Sequence, residues 1–522
     1  MNVTSLLDST ASNNPSKAAY IDEMKSLTFA EVQAFVHRIG TALANRLNCV
    51  NMPIVVLSDR NVESICAFLG VAASRNFYVP LDVNLPEERI RAVVEHVKPA
   101  AIIVTDNEDH ELYDDVPLLN IHDLMNCAPN EQLLRELSDA TLPKDPLYAI
   151  CTSGSTGVPK VVVKPHQSVT DFIPVFADTF GFSEHDVFGN QAPFDFDVSA
   201  KDIYTTLYCG ASMYIIPRSC FSLPKKLVEV LEERGVTVLV WSVSALCVVA
   251  GMGALKHHVP SKINKVLFSG EVMPLKVLNI WRSYYPDATF VNLYGPTEST
   301  GNCMYYVIGH EEALSSWAVD NERSEESKKS IAQSEHDRLP LGQVFPHQKV
   351  LFLNEENHPI QTSEVGEILI GGPCLALGYY RDPERTAAAF VQNPLNDQGA
   401  ERVYRTGDLA ELAEDGQYYF VARKDHQIKH MGHRIELEEI ETHMNAVLGV
   451  ERACCLFDQE RNKIVACYSG TADKVQIIQE LKLHLPKYMI PNIFVKMDSL
   501  PLSHNGKIDR QKLKLEYESK TR

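Results

Sequence analysis

The chain lacks any CxxC pair, any surplus of basic residues and nearly any long uncharged run, and each lack closes off a class of protein. Its twelve cysteines are scattered, and the one adjacent pair, Cys454 and Cys455, would make a strained bridge. The thiols therefore read as reduced and the protein as cytoplasmic, not as a disulfide scaffold. Lys plus Arg total 49 against 68 for Asp plus Glu, a net charge of −19. That balance leaves no basic stripe for nucleic acid, so no nucleic-acid partner is expected. The opening MNVTSLLDSTASNNPSKAAY has no basic start followed by an apolar core, so no signal peptide is expected. Only Val236 to Leu255, twenty residues, runs uncharged over a length that could cross a bilayer. It divides into a buried strand VTVLVW, a Ser-Val-Ser turn or cap, and a short buried helix ALCVVAGMGAL, so no membrane span is expected. No internal repeat occurs at solenoid periods.

What is present is ordinary globular material: 522 residues, 45% apolar and 22% charged. That length exceeds what one hydrophobic core holds, so two or more domains are expected. PIVVLS, AAIIVT, VTVLVW and KVLFSG have the apolar continuity of buried parallel strands. LTFAEVQAFVHRIGTALANRL and LPKKLVEVLEERG have helical period. The alternation predicts an α/β fold, a large N-terminal domain of mostly parallel sheets flanked by helices. From Asp425 the pattern changes to a compact α+β segment with strands ERACCLF and KIVACYS. The expected domains are 1–424 and 425–522. Ser315 to Arg338 is polar and highly charged, and reads as a solvated insertion or a docking loop. The closing QKLKLEYESKTR is a frayed or helical tail.

Four motifs carry chemistry. Thr152-Ser-Gly-Ser-Thr-Gly-Val-Pro-Lys160 follows the strand-like LYAIC. Small hydroxyl and glycine residues let backbone N–H groups close around phosphate oxygens, and a lysine adds charge. It is not a Walker loop, because Pro159 precedes Lys160 and Val161 follows it. Alone, such a stretch is either a phosphate cradle or a flexible loop. Asn292-Leu-Tyr-Gly-Pro-Thr-Glu298 makes a sharp turn that could present an aromatic face and a carboxylate; alone it could equally end a strand. In Tyr404-Arg-Thr-Gly-Asp408 an acidic residue beside glycine could accept ribose hydroxyls. In Asn505-Gly-Lys-Ile-Asp-Arg510 a lysine on a turn is either a surface charge or a cation brought to developing negative charge.

In this order the motifs resemble those of the adenylate-forming superfamily: acyl-CoA synthetases, luciferases and the amino-acid adenylation domains of nonribosomal peptide synthetases. FYVPLD, FDFDVSAKDIY, LFSGEVMP, GEILIGGPCLALGYYRDPERT, RKDHQIKHMGHRIELEEIE and LPKYMIP extend the resemblance over nearly the whole chain. It implies an ATP-dependent, AMP-forming ligase. A carboxylate attacks the α-phosphorus of ATP, and a thiol then displaces AMP. No enzyme nucleophile takes part, so catalysis would rest on positioning and charge.

The resemblance also implies residue roles. Thr152, Ser153, Gly154, Ser155, Thr156, Gly157 and Lys160 would hold the β- and γ-phosphates. Tyr294 would stack on adenine, with Gly270, Glu271, Asn292 and Gly295 also in the nucleotide site. Thr297 and Glu298 would meet the α-phosphate and Mg²⁺, with Glu298 the metal ligand, while Asp408 would take the ribose hydroxyls beside Arg423. Lys507 would bridge substrate carboxylate and phosphate. Asp425 would be a hinge that withdraws Lys507 and presents Lys429 and Gly432 to the thiol. Val161 and Ala422 stand where glycine is usual, and Met431 where arginine or histidine is common; none removes a catalytic group.

Asp197 falls where amino-acid-activating relatives place the partner of the substrate ammonium, and its other reading is a solvated or helix-capping aspartate. The same correspondence puts Val198, Lys201, Val240, Leu267, Ser269, Leu293, Gly301 and Asn302 along the side-chain pocket. That pocket suits a small or polar amino acid such as serine or alanine, or an acidic one if Lys201 points inward. FDFDVSAKDIY and LFSGEVMP are similar to D-alanine:carrier-protein ligases, although Ser269 replaces their usual cysteine. No carrier-type serine motif or HHxxxDG accompanies the adenylation motifs, so a stand-alone ligase or an excised domain is expected, with the phosphopantetheine arm of a separate carrier protein as acceptor. The alternatives are an acyl-CoA synthetase on a small carboxylate and a non-catalytic nucleotide binder.

Overall fold

The structure is a computed structural model and describes residues 2–105, 116–153, 159–309, 338–459, 461–502 and 508–521. Its backbone separates into two compact units. The first comprises Met1–Asp82, Pro99–Ile150 and Val162–Lys424, and the second comprises Val83–Lys98, Cys151–Val161 and Asp425–Arg522.

The first unit is built on three sheets. A nine-stranded sheet runs in the order Gln343–Val344, Met304–Ile308, Thr289–Tyr294, Lys265–Ser269, Val238–Ser242, Val187–Asn190, Ser212–Ile215, Ala18–Ile21, Ser26–Thr28. Its central pairings are parallel, as the continuous apolar runs predict. A seven-stranded sheet is ordered Gly378–Tyr379, Lys160–Pro165, Pro146–Thr152, Phe77–Asp82, Pro53–Ser58, Ala101–Val104, Leu118–Asn120. The third sheet is antiparallel, formed by Lys349–Leu353, Val365–Gly371, Arg402–Leu412, Phe390–Gln392 and Tyr418–Arg423. It adds an antiparallel element to a unit expected to be mostly parallel.

Local chemistry sets the helix limits. The expected helix over 27–47 begins later, at Phe29, because Thr28 and Glu31 form a reciprocal capping box and Ser26–Thr28 is a strand. The uncharged run from Val236 resolves into strand Val238–Ser242 and helix Val243–Gly251, capped by the Ser242 side chain. Among the described residues no helix is long and apolar enough to cross a membrane.

The largest core joins helices Phe29–Leu47 and Val62–Ala73 to both large sheets. Strand alternation decides which residues enter it. Val240 pairs with Leu267 and Leu267 with Val291, and all three belong to this core, while Trp241 and Phe268 face a second one.

The second unit has a hairpin of Gln427–His430 and His433–Glu436 and a three-stranded sheet of Val450–Asp458, Lys463–Gly470 and Ile493–Lys496. Helices Leu437–Ala446, Lys474–His484 and Arg510–Thr521 belong to it, the last making the chain's tail helical. Helix Glu87–Val97 is also part of this unit, where Arg89 pairs with the fully buried Glu439. The hairpin turn places both Met431 (φ 53°) and Gly432 (φ 79°) in the left-handed region, as a two-residue primed turn requires. None of the twelve cysteines, all of them described, is in a disulfide, Cys454 and Cys455 included.

Candidate functional site

Helix Asp197–Cys209 begins with a carboxylate in its first turn, where the helix dipole favours negative charge. Asp197 neither caps the helix nor faces solvent: it is 8% exposed, and no side chain caps this helix. The Tyr148 hydroxyl donates to Asp197 Oδ1 at 2.7 Å. The ammonium of Lys164, itself 0% exposed, lies 3.5 Å from Asp197 Oδ2. Lys164 also donates to Thr300 Oγ1 at 3.3 Å. Burial pulls the Lys164 ammonium below its ordinary range, while Asp197 and Glu298 act to hold the proton on. Burial likewise pushes the Tyr148 phenol up, so it stays a donor.

One turn along the same helix, Lys201 is also buried, and it donates to Asn302 Oδ1 at 2.6 Å. Burial brings its ammonium down to about 8, opposed by Asp202 and Asp197. Asp202 is buried too, its carboxyl pushed up to about 7, and it accepts from the Asn190 amide at 2.9 Å. Two contacts therefore tie this helix face to the loop 298–302: Asp197 through Lys164 to Thr300, and Lys201 to Asn302.

That loop is itself clipped in place. Ser299 bridges Leu375, Thr300 N–H donates to Cys374 O at 2.8 Å, and Ala376 N–H donates to Glu298 O at 2.9 Å. Glu298 is 0% exposed and accepts from the Tyr379 hydroxyl at 2.8 Å, with Thr297 half-buried beside it. Gly301 has φ 67°, and a Cβ there would stand 2.2 Å from the Phe172 ring. Gly301→Ala combines overpacking, roughly 1–3 kcal/mol, with left-handed strain of about 1 kcal/mol. It is expected to lower the thermal midpoint and weaken substrate use together. An unchanged midpoint would show that Phe172 yields at little cost.

The remaining pocket positions of this unit are core-like. Val240, Leu267 and Leu293 are buried in the largest core, Ser269 is buried, and Val198 is half-buried. Nearby nucleotide candidates are also placed. Asp408 Oδ2 accepts from the Tyr294 hydroxyl at 2.6 Å, and Oδ1 pairs with Arg423 at 2.6 Å, its register partner on the neighbouring strand. The Asn292 amide donates to Pro340 O at 2.9 Å, and Glu271 accepts from Ser244 at 2.6 Å. Gly270 adopts φ 97° in the turn after strand Lys265–Ser269, and a Cβ on Gly295 would come 2.7 Å from Asn302 Cα.

In the second unit, Lys160 donates to Glu436 Oε1 at 2.6 Å, and the Gln427 amide donates to the same oxygen at 2.6 Å. Ser153 Oγ donates to Arg434 O at 2.8 Å and accepts from Glu436 N–H at 3.1 Å. Lys429 lies on the hairpin opposite Arg434, and Asp425 accepts from Gln427 N–H at 3.3 Å. Thr152 ends the strand before Ser153. Gly154, Ser155, Thr156, Gly157 and Lys507 lie outside the described residues, as does most of the 315–338 insertion.

Sequence reasoning did not single out Lys164, Tyr148, Thr300, Tyr379 or Glu436. Only Lys164 left a trace, a lysine within the otherwise apolar strand sequence VVVKP.

The first unit is thus an α/β unit in which buried charge converges on one helix and one loop. The family model described as AMP-binding enzyme matches residues 7–380, and the chain belongs to that family. It is an ATP-dependent, AMP-forming ligase. It is 30% identical to a D-alanine–D-alanyl carrier protein ligase of Lacticaseibacillus casei, over 98% of both chains. It is 29% identical to tyrocidine synthase 1 of Brevibacillus parabrevis, over 97% of this chain and 44% of that one. The fold matches that of the Vibrio cholerae adenylation domain AlmE in complex with glycyl-adenosine-5'-phosphate. The TM-score is 0.81 at 21% identity, covering 99% of this chain and 98% of that one.

Proposed function

We propose that the protein activates an amino acid as its aminoacyl-AMP and transfers it to the phosphopantetheine thiol of a carrier protein. The observation that carries the amino-acid half is Asp197, a buried carboxylate beside a clipped loop. Its Oδ2 has only a 3.5 Å contact to Lys164, and a substrate ammonium could sit there with a shorter, charge-assisted bond.

The substrate carboxylate is the nucleophile, and ATP supplies the electrophilic α-phosphorus. One P–O bond forms and the bond to pyrophosphate breaks; the thiol then attacks the acyl carbon and AMP leaves. In this reading Tyr294 and Asp408 hold the adenosine, and Lys507 stabilises charge between carboxylate and phosphate. Glu298, a buried carboxylate with one oxygen held by Tyr379, fits a Mg²⁺ carried in by the nucleotide, with Thr297 beside it. Such an ion needs only one or two carboxylates besides phosphate oxygens. When bound, Mg²⁺ offsets phosphate charge.

Lys160 and Ser153 would serve the β- and γ-phosphates. The Lys160–Glu436 pair then gives the lysine a counter-charge when no phosphate is present. Part of the same proposal is the division into 1–424 and 425–522, with reorientation after Asp425 between half-reactions. Lys429 and Gly432 would then face the thiol.

A second reading has one observation in its favour: Lys164 already pairs with Asp197, so a carboxylic acid without an ammonium could be accepted. ATP–pyrophosphate exchange separates the two. Exchange dependent on an amino acid is the expected result. Exchange with simple carboxylic acids alone, with CoA as acceptor, would replace the proposal by acyl-CoA synthesis.

A further inference from the structure

We propose that Lys201 and Asn302 form a receptor for a second carboxylate, so that the activated amino acid carries an acidic side chain. This rests on the amino-acid reading above and narrows it.

The donors are the first argument. An ammonium has three N–H donors. Lys201 uses one on Asn302 Oδ1 and makes no ion pair within 4.0 Å among the described residues. Lys201 can only donate, so Asn302 must turn its oxygen toward it. The amide nitrogen is then directed elsewhere, and no hydrogen bond from it occurs among the described residues. Two spare ammonium donors and an amide N–H on the same pair of residues match the two oxygens of a carboxylate.

Placement is the second argument. Asp197 and Lys201 are four residues apart on one helix, so they share a face about 6 Å apart along its axis. A substrate ammonium at Asp197 and a side-chain carboxylate at Lys201 would span one turn. The Phe176 ring, its centroid 6.0 Å from the Lys201 ammonium, adds an apolar and weakly cation-attracting wall.

The test is ATP–pyrophosphate exchange with the intact protein on aspartate, glutamate, asparagine, glutamine, alanine, serine, succinate and glutarate. The expected result is at least 100-fold higher kcat/KM for an acidic amino acid than for its amide. Lys201→Met should erase that ratio while leaving ATP binding in place, and the wild-type ratio stands alone if the variant does not fold. Exchange driven by alanine or serine, with the acidic amino acids no better than their amides, would overturn this inference and leave amino-acid activation standing. A preference for succinate or glutarate would keep the carboxylate receptor and overturn the amino-acid reading. Silence across the panel would overturn both.

Discussion

Asp197→Ala is expected to raise the KM for the amino acid by roughly 10²–10³-fold, with the KM for ATP nearly unmoved. The size follows from what the substitution leaves behind. Removing one partner of a buried ion pair costs about 3–5 kcal/mol, and about 1.4 kcal/mol is a factor of ten. Here Lys164, fully buried, loses its only ion-pair partner among the described residues and one of the two carboxylates that hold its proton on. The Tyr148 hydroxyl loses its acceptor as well. Some of the cost will appear as lower stability, so the thermal midpoint must be read beside the kinetics. Two further variants separate the contributions. Asp197→Asn keeps the volume and an acceptor for Tyr148, so its loss reports charge alone. Lys164→Met on the Asp197→Ala background removes the orphaned ammonium, so it should recover stability without recovering amino-acid use. An unchanged amino-acid KM in Asp197→Ala would show that the substrate ammonium binds elsewhere.

The same residues show what the sequence could and could not disclose. Asp197 was legible because it sits in an ordered series of motifs. Its partner Lys164 was not, because strand alternation tells which residues share a face but not which sheet face is covered. The sheet order places its strand between Gly378–Tyr379 and Pro146–Thr152, inside the seven-stranded sheet. The direction of Lys201 was left open for a related reason. Helix Asp197–Cys209 is buried almost all round, so periodicity assigns no solvent side to it. Val240 and Leu267 were easier, since a two-residue period in continuous apolar strands fixes their common face once register is known. The antiparallel sheet escaped notice because GEILIGG and YRTGD stood out as motifs before they could be weighed as strands. Glu436 was beyond reach of local pattern altogether: it meets Lys160 from 276 residues away.

Lys507→Ala is expected to lower aminoacyl-adenylate formation by roughly 10²–10³-fold or more, with ATP binding close to wild type. A positioned cation that meets charge only as it develops contributes to the transition state and little to the ground state, so kcat should fall and KM for ATP should hold. Among the described residues, Leu502 and Ile508 form an antiparallel bridge, and Asp509 N–H donates to Pro501 O at 2.8 Å. Arg510 then anchors the following helix, donating to Glu441 at 2.6 Å and to Cys455 O at 2.9 Å. Arginine in place of Lys507 should rescue little, because its planar fork spreads charge that an ammonium concentrates at a point. The discriminating measurement is the second half-reaction. Given preformed aminoacyl-AMP, Lys507→Ala should load the carrier thiol at a rate near wild type, since the role proposed for this lysine is confined to the first step. Wild-type exchange in Lys507→Ala would remove Lys507 from the mechanism. Equal loss of both half-reactions would instead make it a structural support of the whole site.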